Sequence, residues 1–207
     1  MTISNPVYQE EISAYGYAKI GRLEESSLEW FRNDIVNRKI EEVDRLGSDY
    51  LAHRNILHVV MASADPHYSN FASAPWVQTI VETVLAGDSD DGKPTVQNAI
   101  GYLHTKTCDT RSRYKFSRSM TARDGEIWSV DLYVALTDHT KENGATEIVR
   151  GSHLGEDGWS TAFLEKNRKP LLAKAGDVFL FDSAMYRRPG INMTDEPRLG
   201  MSFQYQR

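Results

Sequence analysis

Apolar residues recur at helical spacing in two early stretches of the chain and alternate with polar ones in several stretches after Pro94. Leu28, Phe31, Ile35, Ile40 and Val43, with charges between them, predict a helix over 24–45 that stops near Gly47. Trp76, Val77, Ile80, Val81 and Val84 predict a second helix over 74–85, with Pro75 in its first turn, where a missing N–H costs little. Before these, residues 5–20 predict a short helix and a strand. The segment 87–94 is loop by its Gly, Asp, Ser and Pro content. After it, residues 96–107, 114–120, 127–136, 145–149, 178–181 and 199–205 predict short strands. In the third of these, Trp128, Val130, Leu132, Val134 and Leu136 alternate with Ser129, Asp131, Tyr133 and Ala135, which predicts an apolar inward face.

Helices followed by many short strands predict a mostly β fold with flanking helices: a double-stranded β-helix, that is, a cupin-like jelly roll. The 207 residues fit a single domain, with a helix-rich part over 1–94 and a β-roll core over 95–207. Hydrophobic residues make up 40% of the chain, enough for a substantial core. The net charge of -5 and the lack of a long basic stripe argue against nucleic acid as a partner. Lys106, Arg111, Arg113, Lys115 and Arg118 form a local basic cluster, read either as a solvated strand face or as a lip for an anion. A single cysteine, Cys108, rules out an internal disulfide framework. No apolar run is long enough to span a bilayer and the first residues carry no secretory pattern, so a cytoplasmic protein is expected.

Four short motifs punctuate the strands. Asn143-Gly144 is a turn signal and predicts a tight hairpin. Gly151-Ser152-His153 follows the next strand, and its lone histidine reads first as a structural hydrogen-bonder. Gly176-Asp177 feeds an apolar strand. Asn192 to Arg198 forms a turn before the last one.

In this order and at these distances the motifs resemble the phytanoyl-CoA dioxygenase family of non-heme iron, 2-oxoglutarate-dependent oxygenases. The resemblance covers roughly 97–207. It implies a roll that holds Fe(II) with two histidines and one carboxylate, and an arginine that clamps 2-oxoglutarate. Arg198, beside Thr194 and Pro197, matches that arginine. The distal histidine falls at Arg187, and the His-x-Asp pair falls at Ser117 and Ser119, within Tyr114-Lys115-Phe116-Ser117-Arg118-Ser119-Met120. An alternative alignment puts the pair at Ala122-Arg123-Asp124 and keeps one carboxylate. Neither alignment supplies both histidines.

A serine hydroxyl is a poor Fe(II) ligand, and a guanidinium has no lone pair to offer. No Fe(II) site and no cofactor are therefore expected, although a 2-oxoglutarate-like anion at Arg198 fits the resemblance. A relocated ligand set drawn from His104, Asp131, His139 and His153 lacks paired spacing. The expected catalytic residues are Arg187, Ser117, Ser119 and Tyr186. Arg198, Gln97, Asn98, Tyr102, Tyr114 and Trp128 are expected to line a substrate pocket covered by the loop 155–169. Three functions follow: a metal-independent isomerase, cyclase or lyase of specialised small-molecule metabolism; a silent homo- or hetero-oligomeric partner of an oxygenase relative; or an ordinary oxygenase with relocated ligands.

Overall fold

The computed structural model describes residues 2–3, 7–46, 56–60, 66–85, 95–104, 115–122, 126–155 and 158–207; for 2–3, 39–46, 56–60 and 95–104 it describes the backbone alone. In chain order the elements are β1 (Thr2–Ile3), α1 (Tyr8–Tyr15), β2 (Tyr17–Arg22), α2 (Glu25–Leu46), β3 (Ile56–Val60), α3 (Pro66–Ala72) and α4 (Pro75–Leu85). There follow β4 (Thr95–His104), β5 (Ser129–Ala135), β6 (Glu147–Val149), a 3-10 turn (Ser152–Leu154), α5 (Thr161–Asn167), β7 (Arg168–Pro170), β8 (Asp177–Asp182), β9 (Arg187–Arg188) and β10 (Arg198–Gln206). They form a seven-stranded sheet, ordered β1-β2-β8-β5-β10-β4-β3, and a three-stranded sheet, ordered β7-β6-β9, with every pairing antiparallel. This is the β-rich roll with flanking helices that the pattern predicts.

The large sheet is covered on both faces, which refines the alternation of β5. Its even residues Val130, Leu132 and Val134 pack under the helices with Leu28 and Ile35 of α2 and Val77, Ile80 and Val81 of α4. The apolar face is thus the one turned to the helices. The odd residues turn into the roll, where Tyr133 and Ala135 meet Phe179 and Phe181 of β8 and Ile148 of β6. A strand covered on both sides has no solvent face, so its polar residues must find partners inside the protein.

The predicted helices 24–45 and 74–85 form as α2 and α4. Ile40 and Val43 lie where only the backbone is described. The predicted strand 114–120 is reduced, among the described residues, to one isolated bridge at Ser117. Helices α3 and α5 and strands β3, β7 and β9 fall in segments with no expected element.

Asn143-Gly144 does not close a hairpin. The strands on either side, β5 and β6, belong to different sheets, and the turn is the crossover between them. Asn143 Oδ1 accepts the Thr140 amide (2.8 Å), and its Nδ2 donates to the Asp138 carbonyl (2.7 Å). Gly144 has φ +78°, and a Cβ there would lie 2.8 Å from Asn192 N. Glycine is required twice over, by conformation and by close approach.

Candidate functional site

The three positions where the resemblance puts iron ligands meet in the roll. Ser117 and Arg187 form an isolated antiparallel bridge: each amide donates to the other's carbonyl at 3.0 Å. Residues so paired present side chains on one face, and alternation puts Ser119 on that face too. Ser119 N donates to the Ser183 carbonyl at 2.9 Å, which ties this segment to the end of β8.

Arg187 crosses from the small sheet toward the large one. Its Nη2 donates to Asp131 Oδ2 in a close ion pair and to Ser119 Oγ at 3.1 Å. Its guanidinium carbon lies 5.2 Å from the centre of the Phe181 ring. Asp131, which comes from the polar face of β5, also accepts from Ser183 Oγ at 3.1 Å. Ser119 Oγ lies 3.5 Å from the same carboxylate oxygen. Asp131 is the member of this cluster that the motifs do not assign. The available signal is a lone carboxylate on an otherwise apolar strand.

Arg198 lies farther along the same inner face, at the start of β10, and is buried. Its Nη1 donates to Tyr133 Oη at 3.2 Å. Burial pushes the Tyr133 phenol above its ordinary range, opposed by the charge and hydrogen bond of Arg198, the charge of Arg187 and a hydrogen bond with Thr146. Gly200 makes room for this tyrosine, since a Cβ there would lie 2.3 Å from Tyr133 Oη.

The other expected site residues divide. On β4 the register sets Asn98 opposite Gln204 and Tyr102 opposite Gly200, while Gln97 falls at a bulge. Tyr114 lies outside the described residues, as do Arg123 and Asp124 of the alternative alignment. Tyr186 sits on the side of its strand away from Arg187: Arg118 lies over its ring at 5.1 Å, and its hydroxyl lies near Gly158. Arg188 also turns away. It forms ion pairs with Glu147 (2.7 Å) and Glu165 (2.6 Å) and covers the Phe116 ring, so it adds no charge to the centre. Trp128 lies beneath the Arg207 guanidinium and lines a separate cleft.

His153 is buried, and its Nε2 hydrogen-bonds the Ser13 carbonyl at 3.0 Å, the structural role read from the Gly-Ser-His turn. Within the expected covering loop, Trp159 donates to the Ser152 carbonyl (2.9 Å) and stacks on Phe163, with ring centres 4.3 Å apart. This stack belongs to the α5 side of the small sheet.

Two hydroxyls and a carboxylate already paired with a guanidinium do not fit Fe(II), which needs neutral or anionic donors and is repelled by a fixed cation. Among the described residues no group of three or more His, Cys, Asp or Glu is placed to hold a metal ion. Among them, too, no helix is long and apolar enough to cross a membrane. Chemically, the centre offers a held cation, a buried carboxylate and small hydroxyls, with the Arg198–Tyr133 pair farther along the same face.

Comparison with known proteins agrees with this architecture. The family described as "Phytanoyl-CoA dioxygenase (PhyH)" matches residues 8–200. Uncharacterized protein Rv1501 of Mycobacterium tuberculosis is 28% identical over 205 residues, covering 96% of this chain and 74% of that protein. Among solved structures, AviO1 from Streptomyces viridochromogenes Tue57 superposes with a TM-score of 0.72 at 16% identity, covering 100% of this chain and 96% of its own. SnoK, a non-heme alpha ketoglutarate dependent carbocyclase from nogalamycin biosynthesis, superposes with a TM-score of 0.72 at 18% identity, covering 98% of this chain and 84% of its own.

Proposed function

The chain belongs to the phytanoyl-CoA dioxygenase family, and from that premise we propose that it is a repurposed, metal-independent enzyme acting on a small oxygen-rich molecule. The reaction class is isomerisation, cyclisation or elimination. The observation that carries this reading is the ion pair of Arg187 with Asp131 at the point where Ser117 and Ser119 converge. A guanidinium stands there in place of a metal ion and supplies its positive charge.

In this reading Arg187 polarises an oxygen of the substrate, which stabilises negative charge as it develops there. Asp131 fixes the guanidinium. Ser119 and Ser183 hold protons at the rim of that carboxylate, and Arg198 with Tyr133 binds an anionic or oxygen-rich end of the ligand. No step needs iron, 2-oxoglutarate or O₂. SnoK, a carbocyclase of similar fold, shows ring closure on this scaffold but is itself described as alpha ketoglutarate dependent, so it does not bear on the independence from that cosubstrate proposed here.

The test is metal content. After anaerobic incubation with Fe(II) and desalting, the native chain is expected to retain no iron. The triple variant Ser117→His, Ser119→Asp, Arg187→His is expected to retain about one iron per chain. One iron per native chain would return the protein to ordinary oxygenase chemistry.

A second reading has its own support. The same ion pair joins the two sheets, a role that needs no substrate and suits a silent oligomeric partner. Co-purification with an active oxygenase, together with no turnover by the isolated chain, is the result that favours it.

A further inference from the structure

A second polar site lies beside this centre. A cleft of about 70 Å³ opens between the end of α1, residues 120–122 and 126–129, and the turn after β8. Ser129, His153 and Asp182 are the buried polar residues of its wall, and Glu126, Ile127 and Trp128 line it as well.

Asp182 is the unusual member. It is 6% exposed, and among the described residues its side chain accepts one hydrogen bond, from the Ala184 amide to Oδ1 at 2.8 Å. Buried carboxylates are ordinarily paired with a cation or held by several donors. Here burial pushes the carboxyl above its usual range. The Ala184 amide and the charges of His153 and Arg187 offset part of that shift, and the charge of Asp131 adds to it. Capping the turn does not explain the acid, because an asparagine oxygen would accept the same amide. Glu126, exposed in the same lining, is already ion-paired with Arg207 at 3.2 Å, so the charge that would repel an anion here is that of Asp182.

We propose that this cleft binds the ammonium group of a small organic amine, with Asp182 as its charge partner. On this measure one water needs roughly 10–15 Å³, so the cleft has room for a small polar group with a few waters and not for a whole substrate. Trp128, whose ring already carries the Arg207 guanidinium at 5.3 Å, lines the cleft and can report on its occupancy. An ammonium bound here also lies near the catalytic centre in sequence and in field. Asp182 precedes Ser183, whose hydroxyl donates to Asp131. This inference does not rest on the metal-free reading, and its test involves no turnover.

The probes are matched pairs: glucosamine against glucose, and ethanolamine against ethylene glycol. The readout is the indole N–H signal of Trp128, assigned with Trp128→Phe. Each amine is expected to shift this signal saturably, its neutral partner is not, and the affinity is expected to rise with pH as Asp182 ionises. Asp182→Asn is expected to weaken binding at least ten-fold. Equal shifts from amine and neutral partner, an unchanged affinity in Asp182→Asn, or no saturable response to either amine would each overturn the assignment.

Discussion

At the scale of single residues, two positions have a measurable thermodynamic signature. The carboxyl of Asp182 titrates higher in the folded protein than in the unfolded chain, where Asp lies near 3.9. A raised acid stabilises the fold below its unfolded value, and that contribution is lost as pH rises through the folded value. Asp182→Asn is therefore expected to unfold at higher denaturant than the native chain at pH 7, with the advantage vanishing toward pH 3. Chemical denaturation at several pH values checks this; a variant less stable than native at pH 7 would show that the charge serves the fold. Residues kept at a cost in stability are typical of functional sites. Gly200 gives the second signature. The first added carbon would collide with Tyr133 Oη, so Gly200→Ala is expected to displace that ring from Arg198 and cost about 1–3 kcal/mol, the usual range for overpacking. Thermal unfolding reads the cost directly.

At the scale of elements, the crossover from β5 to β6 decides whether the two sheets meet in register. Gly144 combines a positive φ with backbone atoms of 190–192 under 3 Å from where a Cβ would sit. Gly144→Ala is expected to cost about 2 kcal/mol or more, since strain and steric overlap add, and a urea midpoint measures it. The same crossover marks where the sequence is legible and where it is not. Strands such as β5, β8 and β10 are legible because long alternating or apolar runs report burial. The convergence of Ser117, Ser119 and Arg187 is legible through motif order alone. Strands β7 and β9 are not, because three- and two-residue strands carry no periodicity. The hairpin expected at Asn143-Gly144 fails because a turn signal reports local φ and not which sheet the next strand joins. The facing of Tyr186 and Arg188 fails for a related reason: alternation along a strand turns neighbours of a site residue away from it. Asp131 escapes the motifs because its partner is 56 positions away and unites with it only across two sheets.

At the scale of the whole molecule, the Arg187–Asp131 pair links the small sheet to the large one, and its energetics separate the two functional readings. Removing one partner leaves a largely buried charge uncompensated, and breaking such pairs costs about 3–5 kcal/mol. The Arg187 side chain keeps 21% of its exposure, so screening places Arg187→Ala toward or below the lower end, about 2–3 kcal/mol. Replacing both partners with apolar residues of similar size is a different experiment, because desolvation of two charges is then avoided. Arg187→Met with Asp131→Leu is expected to come within about 1 kcal/mol of the native chain or to exceed it. Were the pair there only to staple a silent scaffold, it would be a poor device, since the apolar double variant would do as well. That outcome would favour the proposed role of the charge, which is to meet a ligand, over a purely structural one. The measurement is a double-mutant cycle by urea denaturation. A double variant much less stable than both the native chain and the sum of gentler single changes would make the pair a structural necessity and shift the balance to the partner reading.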